Sequence, residues 1–106
     1  MILQDLPAER AILAGVLRHG SDAYFDIADI VDENSFTIES NMSIYCCLKH
    51  VIEKDDTVKP DIPLILSAAK EIGLSDFFNN QEVSHLASIA KFPVLLSNVR
   101  GFAAKV

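Results

Sequence analysis

Few side chains in this sequence could do chemistry together. Cys46, Cys47 and His50 stand closest to one another, and the i, i+4 spacing of Cys46 and His50 can bring these two onto one face of a helix. A structural zinc ion needs four such ligands, and no second pair follows elsewhere in the sequence. The pattern therefore favours cysteine side chains that fill the flank of a packed helix, and it predicts no metal site.

A row of carboxylates and a serine–histidine pair are the other candidates. Asp22, Asp26 and Asp29 follow one another at i, i+4 and i+7, a row that could hold a cation or meet a basic partner. The same spacing is typical of the solvated side of an amphipathic helix, which is the simpler interpretation. Ser84 and His85 are neighbours, but neighbouring side chains diverge on a helix, so they predict no nucleophile–base pair.

The placement of glycine argues against a phosphate site. The four glycines are scattered along the chain, and neither G-x-x-x-x-G-K-[ST] nor G-x-G-x-x-G occurs. No predicted helix carries a basic face that could enter a DNA groove, and the aromatic residues fall mostly on apolar stripes. The sequence therefore predicts no catalytic residue, no bound cofactor and no direct sequence-specific DNA binding.

Length and charge limit the classes of protein to which the chain can belong. The chain has 106 residues, enough for one domain with one core, and a net charge of −6, which makes it a poor general binder of phosphate backbones. No apolar run approaches the roughly 20 residues that span a membrane, and no secretory signal is visible. The adjacent Cys46 and Cys47 are badly placed for a disulfide. We therefore expect a cytoplasmic protein with reduced thiols and no membrane segment.

The elements that would position these residues are predicted to be helices. The best-patterned helix covers residues 6–20, with Asp5 as its N-cap, Pro7 in the first turn and Gly20 as its stop. Its apolar stripe consists of Ile12, Leu13, Val16 and Leu17.

Five more helices are predicted after it. Ser21, Asp61 and Asn79 are the predicted N-caps of three of them, and Glu82 stands three residues after Asn79, the spacing of a capping box. No segment shows the period-2 alternation of a strand for more than a few residues. The five helices are predicted over about residues 21–31, 39–55, 61–73, 79–90 and 94–105.

The predicted fold class is all-α, in a single domain over residues 1–106. We expect a compact head of about four short helices in residues 1–78 and a C-terminal helical hairpin in residues 79–106. The sequence KFP at residues 91–93 would join the two arms of the hairpin, because the residue before a proline disfavours helix.

The second arm of this hairpin is more apolar than a lone edge helix requires. Its apolar residues can pack in the core of their own chain or against the hairpin of another copy, and the pattern leaves both open. The residues concerned are Leu95, Leu96, Val99 and Phe102.

Several short motifs follow one another along the chain in an order that is typical of one protein family. The run LPAERAILAGVL at residues 6–17 places a glutamate-containing turn before an apolar run, and Phe36 follows an acidic turn ahead of the third helix. The runs IYCCL at residues 44–48, KPD at residues 59–61 and LASIA at residues 86–90 continue the series. In these motifs and their order, the chain resembles the N-terminal domain of DnaB-type replicative DNA helicases. It departs from the family around residues 74–81 and 94–96.

The resemblance implies a non-catalytic domain, since the ATPase of such helicases, with its ATP and Mg²⁺, lies in a separate RecA-like domain. It implies a hairpin that pairs with the hairpin of another subunit, so that dimers build a collar on a hexameric ring. The collar docks the C-terminal domain of primase, and a helicase loader is a further candidate partner. The resemblance assigns no primase contacts, but by position the subunit-pairing interface would consist of Leu86, Ala90, Leu95, Val99 and Phe102.

Two function hypotheses follow. The first is an assembly and primase-docking domain of a hexameric replicative helicase. The alternative is a free-standing helical adaptor or regulator that binds replication proteins without a motor domain. The last predicted helix runs toward Val106 without a cap, which favours a fragment of a longer helicase over a natural end that frays.

Overall fold

Six α-helices and two short 3₁₀ helices make up the structure, a computed structural model that describes residues 5–105. No strand occurs within that range, so the all-α prediction is confirmed. The 3₁₀ helices cover Glu33–Ser35 and Ser75–Phe77. The α-helices are α1 (Leu6–His19), α2 (Ser21–Ile27), α3 (Glu39–Lys54), α4 (Ile62–Glu71), α5 (Asn80–Ala90) and α6 (Leu96–Ala103).

Three predicted N-caps form as expected. The side chains of Asp5, Asp61 and Asn79 each accept a hydrogen bond from a backbone N–H three residues later, at 2.9–3.0 Å. These bonds satisfy donors that the first turn of a helix leaves without an intrahelical partner. Only half of the predicted capping box at α5 forms, because the Asn79 N–H donates to the carbonyl of Phe77 instead of to Glu82.

The boundaries of α2 and α6 differ from the prediction. Ser21 is the first residue of α2 and not its cap, because Gly20, at φ +67°, occupies the cap position. α2 ends at Ile27, four residues early, where a turn begins with two N–H groups donating to the Ile27 carbonyl. α6 begins two residues late because Leu95 is extended, and Val106, toward which the predicted helix runs, lies outside the described residues.

The core is organised around α1. Predicted to carry one apolar stripe, α1 is instead buried over most of its circumference, since the alanines and the glycine between its large apolar residues are buried too. A helix that is apolar or small on nearly every side has to be surrounded by other elements. α2, α3, α5 and α6 all pack against it, and α4 packs on the outer side of α3.

The last two helices follow one another as predicted but do not pack as a hairpin. α5 lies on α1, and α6 lies on α1 and α2, while α5 and α6 make little contact with each other within residues 5–105. The reason is that the apolar faces of α5 and α6 both cover α1 instead of each other. The predicted separation into a head and a hairpin is therefore not visible in the packing, which joins residues 79–105 to the same core.

α6 is seated on α1 by a close approach at one glycine. A Cβ added to Gly15 would lie 2.5 Å from Cγ2 of Val99, which is fully buried. Arg100, the next residue of α6, binds both carboxylate oxygens of Asp29 at 3.0 Å and donates to the Asp26 carbonyl. The position of α6 is thus fixed by a small residue on α1 and by an ion pair to the end of α2.

Adding one methyl group at Gly15 tests this packing. We expect Gly15→Ala to lower the free energy of unfolding by about 1–2 kcal/mol, because the clash with the stiff Val99 side chain exceeds the gain in helix propensity. Gly101→Ala is the matched control, since α6 leaves open space around Gly101 and this change should stabilise by about 0.5–1 kcal/mol. Denaturant unfolding measures both, and equal effects would contradict the close approach.

Candidate interaction surface

The largest buried polar cluster in the described residues surrounds Glu9, whose exposed fraction is 0%. One carboxylate oxygen accepts from the Thr37 backbone N–H at 3.2 Å and from Asn41 Nδ2 at 3.1 Å. The other accepts from the Thr37 hydroxyl at 2.6 Å. Asn41, also fully buried, accepts through Oδ1 from His85 Nε2 at 3.1 Å. This network joins α1, the start of α3 and α5.

The geometry makes this cluster structural. Both oxygens of Glu9 already accept hydrogen bonds, and the carboxylate is shielded from solvent, so it cannot readily bind a ligand or act as a base. Its position in the first turn of α1 adds a favourable interaction with the helix dipole. The sequence motif included Glu9, but its burial was not predicted. The neighbouring Ala8 and Ala11, which are also buried, were the signal in the sequence that this side of the helix is inside.

Graded substitutions test the role of Glu9. Glu9→Gln can keep an amide oxygen for Asn41 and should lower the free energy of unfolding by about 1 kcal/mol, through loss of the charge-assisted bonds. Glu9→Leu should cost at least about 2 kcal/mol, because the Asn41 amide loses its acceptor in the core. The same changes at Glu39, an exposed residue in the first turn of α3, should stay within about 0.5 kcal/mol. Equal effects at both sites, measured by denaturant unfolding, would refute the network.

The cysteines and His50 lie on α3, and Cys47 is fully buried. Burial raises the pKa of the Cys47 thiol to about 12 and also raises the pKa of the half-buried Cys46. His50 points toward α4, where its Nε2 lies 3.7 Å from Glu71 Oε2. Within residues 5–105 no group of three or more histidine, cysteine or acidic side chains is arranged to hold a metal ion.

The reactivity of the two thiols tests the burial of Cys47. Because the thiolate is the nucleophile, the raised pKa of Cys47 leaves almost none of it ionised at about pH 8. Cys46→Ala, which retains only Cys47, should therefore react with iodoacetamide much more slowly than Cys47→Ala, which retains the partly exposed Cys46. Mass spectrometry follows the alkylation. The two variants should react alike in guanidinium chloride, and alike rates in the native state would contradict the burial of Cys47.

The predicted carboxylate row lies at the surface. Asp22, Asp26 and Asp29 are exposed on α2 or directly after it. The Arg100 guanidinium beside Asp29 holds the pKa of that carboxyl below its ordinary value. Ser84 and His85 form no pair in the structure, since the His85 ring bonds to Asn41 on α3.

Large apolar side chains are exposed where α5 connects to α6. Phe92 is 45% exposed, Leu95 68% and Leu96 39%, and these three with the exposed Pro93 are called the connection surface. Val94, in the middle of the segment, is buried, and its carbonyl accepts from His19 Nε2 at 2.7 Å. The segment is therefore anchored to α1 while its neighbours face outward. Because they stand close together, these exposed apolar residues make the connection surface a candidate interaction site.

The five residues predicted to pair subunits divide between core and surface. Leu86 and Val99 are fully buried, so they cannot contact another chain in this conformation, and the prediction is corrected for these two side chains. Ala90 and Leu95 are exposed, and Phe102 is half-buried. The helical stripe identified an apolar face, but that face covers α1. The interface prediction omitted Phe92. The signal for it in the sequence was a large aromatic side chain placed in a turn.

A groove lies beside the connection surface. It has a volume of about 590 Å³ and runs between the C-terminal end of α1, the connection from α3 to α4, and the end of α5. Arg18 and Lys59 supply cations to its walls, and both are exposed. Its apolar lining includes Leu17, Pro60, Ile62 and Ala90. This site is called the basic groove.

These features define a small all-α domain with an exposed apolar connection surface and a groove beside two cations. The family model of the DnaB-like helicase N-terminal domain matches residues 1–106, so the chain belongs to that family. The matched domain is the non-catalytic N-terminal part of such helicases. No match was found among curated proteins or among solved structures. In the part of the chain that the structure describes, every helix is too short or too polar to cross a membrane.

Proposed function

We propose that this domain assembles the subunits of a hexameric replicative DNA helicase and docks primase on that assembly. The observation that carries the proposal is the connection surface, where Phe92, Leu95 and Leu96 are exposed on an anchored segment. Membership of the helicase N-terminal domain family supports the context. The domain itself would act by binding and not by catalysis.

The physical case for self-association is the apolar area at one place. Burying a large apolar side chain contributes about 1.5–3 kcal/mol, and a twofold contact would bury the connection surface of both partners at once. Ala90, exposed at the end of α5, would extend the contact, and the half-buried Phe102, at the far end of α6, would take part in it if the contact runs along that helix. Leu86 and Val99 would support the surface from the core. Such dimers would be the pairing units within the hexamer.

The proposed partners follow from the family. Primase is the main partner, a helicase loader is a second candidate, and the cytoplasm is the proposed location. ATP and Mg²⁺ would be bound by a motor domain and not by these residues. The net charge of −6 is consistent with protein partners, because an acidic surface does not favour the phosphate backbone of DNA.

Charged substitutions on the connection surface test the proposal. The wild-type domain should self-associate below about 1 mM, and Phe92→Asp with Leu95→Asp should weaken that association at least about tenfold, because apolar interfaces tolerate charge poorly. Sedimentation velocity measures the assembly, and circular dichroism checks the helices. The matched control is Gln81→Asp, exposed in the first turn of α5 and remote from the connection.

The same variants test primase docking. The C-terminal domain of the cognate primase, titrated into labelled wild-type protein, should bind, and the Gln81→Asp control should retain that binding. A wild-type chain that stays monomeric to about 1 mM would refute the assembly, and a titration without binding would refute the docking. If the double variant assembles like the wild type, the connection surface is the wrong interface.

A further inference from the structure

A second cavity lies between the C-terminal half of α3 and α4, and it is called the α3–α4 cleft. Its volume is about 260 Å³, and it is smaller and more enclosed than the basic groove. Its apolar lining consists of Val51, Val58, Leu64 and Ala68. The cleft shares no residue with the basic groove or with the connection surface. An enclosed cavity that is lined by apolar side chains and a few polar groups is the usual form of a small-molecule site.

The polar atom that the cleft offers to a ligand is Nε2 of His50. This atom is shielded from solvent and forms no hydrogen bond within residues 5–105. Oε2 of Glu71 lies 3.7 Å from it, beyond hydrogen-bond length, and accepts from Lys54 Nζ at 2.9 Å instead. Because buried polar atoms in folded proteins nearly always have a partner, His50 Nε2 needs a partner that these side chains do not supply.

The charges at the mouth of the cleft favour a neutral ligand. Glu71 pairs with Lys54, and Asp55 accepts from the backbone N–H and the hydroxyl of Thr57. The hydrogen bond from Lys54 lowers the pKa of Glu71, and those from Thr57 lower the pKa of Asp55, so both carboxylates are ionised at neutral pH. Two carboxylates and one ammonium group repel an anion. A cation would have to compete for exposed carboxylates that already have partners.

We propose that the α3–α4 cleft binds a small neutral ring compound that carries one N–H or O–H group. The ring would lie against Val51 and Ala68, and its N–H or O–H would donate to His50 Nε2, which accepts when the neutral imidazole carries its proton on Nδ1. At about 30 Å³ per water, the volume of the cleft equals that of roughly nine waters, so the compound has roughly nine non-hydrogen atoms. A rigid ring also loses less conformational freedom on binding than an open chain of the same size.

A ligand in this cleft would hold α4 to the rest of the domain. Among the described residues, α4 packs mainly against α3 and the 3₁₀ helix Ser75–Phe77. The cleft lies at the contact between α3 and α4, so a compound bound there would bridge the two helices. Because a ligand stabilises the state that binds it, the compound should raise the midpoint of thermal unfolding. This inference does not depend on the proposed assembly.

Four ring compounds test the chemistry of the ligand. Indole is the probe, since it is a neutral ring compound of the expected size with one N–H. Titrated into isotope-labelled wild-type protein, it should shift the NMR signals of residues that line the cleft, with a Kd below about 1 mM. Indene, which has the same shape without the N–H, should bind at least about tenfold more weakly because it leaves Nε2 unpaired. Benzoate and benzylamine, which carry a charge of either sign, should bind at least about fivefold more weakly than indole.

Two variants test the place of binding. His50→Phe keeps a ring and removes the polar atom, so indole should bind at least about tenfold more weakly and its advantage over indene should disappear. Ala68→Leu puts a larger side chain into the cleft and should weaken the binding of both compounds at least about tenfold. The matched control is Ala104→Leu, the same change at an exposed residue directly after α6, which should bind like the wild type. Circular dichroism checks that each variant folds.

The outcomes decide this inference separately from the proposed function. Signal shifts on α3 and α4, together with a preference for indole over indene that depends on His50, support it. It is overturned if indole does not bind, if indene or a charged compound binds as tightly, or if the shifts fall in the basic groove. Unchanged binding by a folded Ala68→Leu variant overturns it too. The comparison of the four compounds needs only the wild type, and none of these results bears on self-association.

Discussion

The burial of α1 on nearly all sides is the constraint on which the rest of the structure depends. A helix whose large side chains and small side chains are both excluded from solvent cannot sit at the edge of a bundle. Four of the other five helices therefore surround it, and only α4 is positioned through α3. The small residues matter as much as the large ones, because Gly15 lets α6 approach closely enough for Val99 to reach the core.

The hydrogen bonds of the buried Glu9 carboxylate restrict the relative orientation of the helices, which apolar packing alone leaves open. Apolar contacts favour burial but permit many relative orientations of two helices, whereas hydrogen bonds require particular donors at particular distances. Glu9 accepts from Thr37 and from Asn41, and Asn41 in turn bonds to His85. An uncompensated charge in this position would be costly, so the three segments have to meet with their polar groups aligned. The network thus fixes the rotation of α3 and α5 about α1.

The surface features are consequences of how chain segments meet the C-terminal end of α1. His19 holds the Val94 carbonyl, and this anchor presents the neighbouring apolar residues of the connection to solvent. Arg18, one residue earlier, stands over the basic groove with Lys59 from a different connection. The opposite character of α2 arises because Ala23, Tyr24 and Ile27 face the core, which leaves its acids outside. A small acidic domain thereby acquires both a cationic site and an acidic one.

The sequence by itself determined the local features of this protein. Side-chain caps such as Asp5 and Asp61, together with the positive φ at Gly20, depend on residues within a few positions. The number of helices and the family could be recognised from the order of the helical patterns and motifs along the chain. Only the tertiary structure decided which apolar residues are inside. Leu86 is buried while Leu95 is exposed, although the sequence assigns both leucines to predicted apolar helical stripes. Burial depends on what packs across from a side chain, and for α5 and α6 that partner is α1, which ends 61 residues before α5 begins.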